Sequence, residues 1–237
     1  MTLSRDRSLK PKTDLWSLEN DLFHKGSRCI AGMDEAGRGP LAGPVVAAAV
    51  TCKIPVSISG VQDSKKLGPG VRARLYREIC DHEDLDVGIG QASVEEIDSL
   101  NIFQASMLAF SRAFAALSVS PDFCLIDGNK PCPLVQVPQQ AVVKGDQISF
   151  LIAAASIIAK ETRDAIMHEH HHRWPQFGFA RHKGYATALH KAAIQKHGYC
   201  KIHRKSFEPV KSLASPPPPS RHEDHLPLFP GWEEQKD

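Results

Sequence analysis

Residues 30–46 combine an apolar run, two adjacent carboxylates and a glycine-rich loop, and they constrain the fold more than any other stretch. The run ends at Asp34 and Glu35, the loop carries three glycines and two prolines, and a second apolar run begins at Val45. Apolar runs bounded by glycine and proline are typical of strands joined by a short turn. The stretch therefore predicts an antiparallel hairpin with two acids where its first strand stops.

The two acids can share one site only if the chain leaves strand geometry between them. Neighbouring residues on a strand point to opposite faces of the sheet. We expect the glycine-rich loop to supply that break after Asp34. Gly37 and Gly39 would let backbone N–H groups approach a ligand closely, and Arg38 between them carries a forked cation suited to phosphate.

The composition is that of an ordinary globular protein, with 42% hydrophobic and 24% charged residues among 237. We expect one domain over residues 13–211, a disordered N-terminus over 1–12 and a proline-rich flexible tail over 212–237. The formal net charge of +2 does not by itself indicate a nucleic-acid-binding protein. Any basic surface must come from local clustering.

The cysteines and the apolar segments indicate a cytoplasmic protein. None of the six cysteines forms a Cys-x-x-Cys pair, so no zinc site is predicted. The N-terminus has no secretory signal pattern, and no apolar run approaches 18 residues, so we expect no membrane span. We expect a monomer in a reducing compartment.

Apolar periodicity divides the chain into alternating strands and helices. Glycine, proline and capping residues set the bounds. The predicted strands are 28–34, 45–51, 86–92, 123–127 and 141–146. The predicted helices include 15–23, with Asp14 as N-cap, and the ranges 71–81, 148–173 and 186–196. A further helix is predicted to begin at a Ser93–Glu96 capping box and to continue over 102–117. This order predicts an α/β fold with a mixed central sheet flanked by helices.

Three of the predicted strands end in acids, namely Asp34 with Glu35, then Asp127, then Asp146. Strand ends can converge at one edge of an open α/β sheet, where ligands bind. Four carboxylates crowded together would repel one another without a cation, and hard oxygen ligands favour Mg²⁺ or Mn²⁺. Two such ions could activate a water molecule and stabilise the leaving oxygen in phosphodiester cleavage.

The segment Asp34-Glu-Ala-Gly-Arg-Gly-Pro-Leu-Ala-Gly-Pro-Val45 resembles the signature of the ribonuclease HII family. The resemblance covers residues 15–211 and includes Leu125–Asn129, Val142–Asp146, Ala153–Lys160, His182–Tyr185 and His203–Phe207. It implies a ribonuclease H-like fold with a C-terminal helical part. It also implies an endoribonuclease that hydrolyses the RNA strand of RNA–DNA hybrids and cuts 5′ of single ribonucleotides embedded in duplex DNA. The implied mechanism uses two metal ions and leaves 5′-phosphate and 3′-OH products.

The resemblance also implies a role for each site residue. The catalytic acids and metal ligands would be Asp34, Glu35, Asp127 and Asp146. The substrate-binding residues would be Gly37, Arg38, Gly39, Lys65, Lys66, Lys183 and Tyr185. In the family, the glycine loop contacts the 2′-OH that distinguishes RNA from DNA, and the tyrosine packs on the neighbouring deoxyribose.

Three sequence features that suggest a binding site also have a simpler, purely structural interpretation. Residues 63–67, Asp-Ser-Lys-Lys-Leu, could be the N-cap of a solvated helix instead of a segment near the substrate backbone. Tyr185 could pack a loop against the next helix. The histidines at 168 and 170–172 could bind zinc, but we interpret them as a polar helix end that complements the helix dipole.

Two other functions compete with the nuclease. A dinucleotide-binding enzyme would need Gly at position 42, where the chain has Ala42, and would place pyrophosphate beside two acids. The alternative that we retain is a non-catalytic nucleic-acid-binding protein, which leaves four acids in its groove unexplained. In the tail, His225-Leu-Pro-Leu-Phe229 either folds back onto the domain or docks on the sliding clamp, since it resembles the short clamp-binding peptide of bacterial replication proteins.

Overall fold

The computed structural model describes residues 14–214, in which five strands form one mixed sheet with helices on both faces. The predictions for residues 1–12 and for the tail segment 225–229 lie outside this range. The strands are β1 (Ile30–Ala36), β2 (Val45–Cys52), β3 (Asp86–Ala92), β4 (Phe123–Asp127) and β5 (Gln139–Val142). Their order across the sheet is β3-β2-β1-β4-β5.

The first three strands form an antiparallel meander, whereas β4 and β5 lie parallel to β1. The predicted hairpin of β1 and β2 is therefore confirmed, as are the bounds of β3 and β4. The antiparallel hairpin excludes the βαβ unit that a dinucleotide-binding loop requires. The carboxyl ends of β1 and β4 lie side by side because these strands are parallel neighbours.

Eight α-helices surround the sheet in the described part of the chain. They are α1 (Ser17–His24), α2 (Pro69–Cys80), α3 (Val94–Leu100), α4 (Ile102–Ala115), α5 (Phe150–Arg173), α6 (Phe179–His182), α7 (Ala188–His197) and α8 (Val210–Ala214). Helices α2 and α5 share one apolar core with the sheet, and α4 shares another on the opposite face. No helix in residues 14–214 is long and apolar enough to cross a membrane.

The long helix α5 packs very closely on β1. A Cβ atom on Gly32 would lie 2.3 Å from the carbonyl carbon of Leu151, so only glycine permits this approach. The alanines at 153–155 are fully buried in the same contact. These small side chains let α5 pack closely against β1, the strand that carries the first pair of acids.

Several predicted bounds are wrong. Strand β1 continues to Ala36, so both acids belong to it. Strand β5 ends at Val142, and Asp146 lies in a short 3₁₀ helix, because Lys144 adopts a left-handed conformation with φ of 57°. The Ser93–Glu96 capping box is confirmed. Its helix, however, stops at Leu100 because Asn101 has φ of 72°.

At the N-terminal helix, Trp16 rather than Asp14 occupies the N-cap position. The Asp14 carboxylate instead accepts a hydrogen bond from the backbone N–H of Trp16.

Beyond α5 the chain builds a third, smaller apolar cluster around Phe177, Phe179 and Met167. A bridge between Ala42 and His203 joins this region to the loop that follows β1. Gly184 O also accepts a hydrogen bond from the N–H of Leu41. The C-terminal helical part is therefore attached directly to the glycine-rich loop.

Candidate active site

Asp34 and Glu35 both line a cavity of about 220 Å³ at the carboxyl end of β1. Strand pairing between β1 and β4 stops at Met33, so the following residues of β1 have no paired residue in β4. The backbone N–H of Glu35 donates a hydrogen bond of 2.7 Å to Asp34 Oδ1. The two acids thus line one cavity, and the expectation that the strand must break between them is wrong.

Asp127 and Asp146 come from the adjacent strand and from the turn beyond it. Asp127 is the last residue of β4, and its Oδ1 accepts a hydrogen bond of 2.7 Å from the N–H of Gly145. This bond ties the 3₁₀ turn that carries the buried Asp146 to the end of β4. The sheet therefore brings the four predicted acids to one edge.

The electrostatics of the acids reflect this crowding. Burial raises the pKa of Asp34 well above its usual range, and the charges of Glu35 and Asp127 raise it further. Burial also raises the pKa of Glu35, which the Arg38 guanidinium partly offsets. The pKa of Asp146 is raised by burial and by the charges of other acids, Asp127 among them. A cation at this edge would relieve all three shifts.

Asp63 is a fifth acid at this edge that the sequence reasoning did not assign to the site. It is 6% exposed, and its charge raises the pKa of Asp146. Asp63 also caps a 3₁₀ helix, Ser64–Lys66, by accepting a hydrogen bond from the N–H of Lys65. The capping interpretation of this motif is therefore confirmed, though the helix has only three residues, and a position near the substrate backbone stays a prediction.

The hydroxyl of Ser156 also contributes to the site. It opposes the rise in the Asp34 pKa and lies 2.9 Å from the hydroxyl of Ser64. Ser156 projects from α5, so it links that helix to the acids. The sequence placed Ser156 in a recognised motif but gave no signal of this contact.

The two adjacent lysines occupy different positions. Lys65 lines the acid cavity. Partial burial lowers the pKa of its ammonium, but the charges of the surrounding acids outweigh this and leave the pKa raised. Lys66 is exposed outside the cavity, with Nζ 3.7 Å from a carboxylate oxygen of Asp63.

The glycine-rich loop and Tyr185 complete the cavity wall. Gly37, Arg38 and Gly39 all line it, and Arg38 Nη1 lies 3.2 Å from Glu35 Oε1. Tyr185 is 46% exposed, so it is not the packing residue of the plainer interpretation. Its Cε1 atom lies 4.0 Å from the position that a Cβ on Gly39 would take. The ring therefore stands next to the loop.

Two buried arginines hold this loop in place. Arg204 donates hydrogen bonds to the carbonyl oxygens of Gly37, Arg38 and Gly43. Arg163, from α5, donates to the carbonyl oxygens of Ala42, Pro44 and Lys183. Sequence reasoning missed both roles, because nothing local marks an arginine as fully buried.

Lys183 lies in a neighbouring cavity of about 730 Å³, not with the acids. Its Nζ donates a hydrogen bond of 2.6 Å to the carbonyl oxygen of Ala180. Lys160 lines both cavities, so the two adjoin. A role for Lys183 in substrate binding stays a prediction about this second cavity.

The acid cavity has the donor set of a hard divalent cation. Within residues 14–214, however, no three side chains of His, Cys, Asp or Glu lie close enough together to hold a metal ion by themselves. This fits Mg²⁺-type sites, which use one or two carboxylates and complete their shell with water and substrate phosphate. The same result gives no support to a zinc site at the histidines of α5, where His170 instead contacts the Trp174 ring at 5.8 Å.

Comparison with known proteins decides the family. The family model described as Ribonuclease HII matches residues 31–210. The chain belongs to the ribonuclease HII family. It is 53% identical over 189 residues to the ribonuclease HII of Vibrio vulnificus strain YJ016, covering 80% of this chain and 90% of that protein. It is 48% identical over 196 residues to the Chlamydia caviae ribonuclease HII, covering 82% of this chain and 91% of that protein.

Solved structures agree with this assignment. The ribonuclease H2 of Pyrococcus horikoshii OT3 superposes with a TM-score of 0.64 at 27% identity, covering 78% of this chain and 96% of that chain. The ribonuclease HII in a PCNA complex from Archaeoglobus fulgidus gives 0.58 at 28% identity, covering 70% and 86%. As a ribonuclease HII, the chain is a divalent-metal-dependent hydrolase that binds nucleic acid and degrades the RNA strand of RNA–DNA hybrids. The ribonuclease H-like fold is confirmed.

Proposed function

We propose that this enzyme cuts the phosphodiester bond 5′ of a ribonucleotide, including a single ribonucleotide embedded in duplex DNA. The observation that carries the proposal is the shared cavity, in which the Gly37–Gly39 loop and Tyr185 stand beside Asp34 and Glu35. An enzyme that reads one ribonucleotide must contact one 2′-OH close to the bond that it breaks. A cavity of about 220 Å³ with loop, ring and acids together suits that requirement.

Recognition is divided between the backbone of the loop and the aromatic ring. Gly37 and Gly39 leave backbone groups accessible at the cavity wall, where they can hydrogen-bond a 2′-OH. The exposed Tyr185 ring can stack on the sugar of the next nucleotide, an interaction that tolerates any base. Arg38 carries a cation on the same wall and can contact a phosphate.

The acids would hold Mg²⁺ or Mn²⁺, and two bound ions would supply an activated water and charge stabilisation of the leaving oxygen. Asp34 lies in β1 and Asp127 ends its parallel neighbour β4, so both would orient this centre from the rigid sheet. Glu35 and Asp146 would also contribute carboxylates, and Lys65 would balance charge on the phosphate. The products would carry a 5′-phosphate and a 3′-OH.

The rest of the duplex would extend past Lys160 into the larger cavity. Lys183 and Arg181 line that cavity and could bind phosphates there. Lys66, exposed beside the acid cavity, could contact the backbone on the near side. These contacts would position the duplex without reading its sequence.

Replacement of Asp34 by asparagine tests the chemistry. We expect Asp34→Asn to reduce cleavage of a hybrid by orders of magnitude while thermal unfolding stays close to wild type. Asp81→Asn, at an exposed position at the end of α2, is the matched control and should cleave normally. Full activity of Asp34→Asn, or of wild type in excess EDTA, would refute the assigned centre.

Specificity is tested with two duplexes that contain one and four embedded ribonucleotides. Wild type should cut both, 5′ of a ribonucleotide. Tyr185→Ala should lose most of its activity on the single ribonucleotide, whereas Tyr185→Phe should retain it because the ring remains. Wild type that ignores the single-ribonucleotide duplex would disprove the proposed specificity. Unchanged cleavage of that duplex by Tyr185→Ala would disprove the stacking role.

We also propose that residues 13–211 form the catalytic domain and that the tail beyond them recruits a sliding clamp. The family match ends at residue 210, and the Archaeoglobus fulgidus relative is known in a PCNA complex. The segment His225–Phe229, outside the described residues, supplies two leucines and a phenylalanine that could fill an apolar pocket. A tethered clamp would raise the local enzyme concentration near new DNA.

A peptide of residues 221–233 tests this proposal. It should bind clamp weakly, because His225 replaces the glutamine common at the first position of such peptides. Replacing both Leu228 and Phe229 with alanine should abolish binding. Deleting residues 215–237 should leave cleavage of short duplexes intact. Absence of binding by the unmutated peptide at high micromolar clamp would leave the tail without this function.

A further inference from the structure

Three buried histidines form a cluster that hydrogen-bonds the backbone of Gly184 and Tyr185. His190 and His203 are fully buried, and His182 is 9% exposed. The rings of His182 and His190 stack with centroids 4.4 Å apart, and those of His190 and His203 are 5.2 Å apart. None of these rings lines the acid cavity, so the cleavage chemistry does not explain them.

The hydrogen bonds of two of the histidines have a fixed direction. The backbone N–H of Cys200 donates to His203 Nδ1 at 2.9 Å, so this nitrogen carries no proton. In the neutral ring the proton is then on Nε2, which lies 3.0 Å from His190 Nε2. His190 Nε2 must accept, so His190 Nδ1 carries a proton and donates at 2.9 Å to the carbonyl oxygen of Tyr185.

The third histidine fixes the same turn from the other side. His182 Nδ1 accepts a hydrogen bond of 3.2 Å from the N–H of Gly184, and its Nε2 lies 2.7 Å from the carbonyl oxygen of Phe177. Both backbone groups that flank the Gly184–Tyr185 peptide bond are therefore bound to imidazoles. The direction of each bond follows from which partner is a fixed donor or acceptor.

This chain of bonds also reaches the glycine-rich loop. Arg204 follows His203 directly and donates to the carbonyl oxygens of Gly37 and Arg38. One two-residue segment therefore holds Tyr185 through His190 and holds the loop through the guanidinium. The two walls of the proposed ribonucleotide site share a single support.

We propose that His203 and His190 are positioning residues, a directed pair of neutral imidazoles that sets Tyr185 against the Gly37–Gly39 loop for recognition of a ribonucleotide. The inference rests on the role proposed above for Tyr185. A wrong proton on either ring would place two donors or two acceptors face to face and would release the Tyr185 carbonyl. The pair thus stabilises one placement of the ring.

The surroundings keep the pair neutral. The other titratable groups against it are His182 and the Cys200 thiol, and the remaining contacts are the rings of Phe177 and Phe179. In the described part of the chain, no Asp or Glu side chain hydrogen-bonds either ring. Burial lowers the pKa of both His190 and His203 to about 4, so the bond directions persist through the neutral range.

Replacing His190 by asparagine or by glutamine distinguishes the contributions of its two hydrogen bonds. Asparagine places its amide group near the Nδ1 position, so His190→Asn retains a donor to the Tyr185 carbonyl. Glutamine reaches the Nε2 position instead, so His190→Gln retains an acceptor for His203 but loses the bond to Tyr185. We expect His190→Gln to raise the KM for the single-ribonucleotide duplex about fivefold or more, with kcat changed less than about twofold. His190→Asn should stay within about twofold of wild type.

A double-mutant cycle with Tyr185→Ala then tests positioning against a general structural effect. If His190 acts through Tyr185, adding His190→Gln to Tyr185→Ala should change kcat/KM no further. The inference would be overturned if the losses in kcat/KM of the two single variants multiply in the double variant. Equal KM values for His190→Gln and His190→Asn would overturn it as well. If Tyr185→Ala alone behaves as wild type, the stacking role proposed above for Tyr185 fails. If Tyr185→Ala is impaired but His190→Gln is not, only the positioning role of the histidines fails.

Nitrogen-15 NMR of the wild-type protein tests the pair even if a variant does not fold. At pH 5.5 the His190 ring should be neutral with its proton on Nδ1, and the His203 ring neutral with its proton on Nε2. Exposed histidines in the same sample should be mainly protonated and provide an internal reference. An imidazolium, or the opposite tautomer, at either position would refute the proposal.

Discussion

Gly37→Ala should damage the support of the glycine-rich loop. Gly37 has φ of +102°, a conformation that residues with a Cβ adopt at a cost of about 1–2 kcal/mol. The new Cβ would lie only 2.1 Å from Arg163 Nε, and Pro44 O is 2.8 Å away. Arg163 would have to move from the three carbonyl groups that it binds, and each buried group left unpaired costs about 1–3 kcal/mol.

With one or two of those bonds lost, the total cost is about 2–8 kcal/mol. Each kcal/mol lowers the melting temperature of a domain of this size by about 2–4 °C, so the melting temperature should fall by at least about 4 °C. Gly39→Ala is the matched control in the same loop, because the nearest atom to its Cβ would be Tyr185 Cε1 at 4.0 Å. Its stability should stay within about 0.5 kcal/mol of wild type, as for most exposed substitutions.

Urea unfolding of both variants, followed by cleavage of the single-ribonucleotide duplex, measures the two effects separately. Gly37→Ala should lose both stability and activity. Gly39→Ala should lose only selectivity for a ribonucleotide, because its methyl group lies in the recognition wall. Equal stabilities for the two variants would refute the argument that Arg163 supports the loop against Gly37.

Three further outcomes follow from the same contacts. In a thermal-shift titration, Mg²⁺ or Mn²⁺ should raise the melting temperature of wild type by relieving carboxylate repulsion, and EDTA should reverse this rise. The metal should raise the melting temperature of Asp34→Asn by less. The free energy of unfolding should fall as pH drops from about 6.5 to about 4, because His190 and His203 bind protons in the unfolded chain but not in the folded chain. Each histidine contributes at most about 1.4 kcal/mol per pH unit, which urea unfolding at pH 7, 6 and 5 would measure. Asn101→Ala should cost about 1–2 kcal/mol in unfolding free energy and Asn101→Gly less, because the asparagine both adopts positive φ and caps α4.

The parts of the fold that were predictable depend on local pattern. Strand β4 follows from a short apolar run and β3 from residues that alternate with glycines, and the bounds of both were predicted without error. The capping box at Ser93 was likewise visible, because its two partners are three residues apart. The break at Asn101 was not, since the apolar stripe of Met107 and Phe110 continues the helical period across it. A left-handed residue changes the direction of a helix without changing its hydrophobic pattern.

The proximity of the candidate acids was predictable, but their detailed geometry was less so. The family signature pointed to Asp34, Glu35 and Asp127, and the sheet places these three acids together, while their catalytic role stays a prediction. Asp146 was expected at a strand end and instead lies on a turn held by Gly145. Lys183 was expected to bind substrate and lines the neighbouring cavity, because the direction of its side chain, on a residue in the left-handed conformation, depends on tertiary contacts that no spacing encodes.

The overall composition also does not predict where positive charge lies near the site. The net charge is only +2, yet Arg163 and Arg204 lie fully buried behind the glycine-rich loop, and within residues 14–214 neither forms an ion pair with a carboxylate. Burial lowers the pKa of Arg163 to about 10 and that of Arg204 to about 9, so both stay protonated at neutral pH. Their partners are backbone carbonyls, which orient the guanidinium groups without neutralising them. The loop that would contact the ribonucleotide therefore rests on two fixed cations, and their field favours a phosphate backbone at this wall whatever the net charge of the chain.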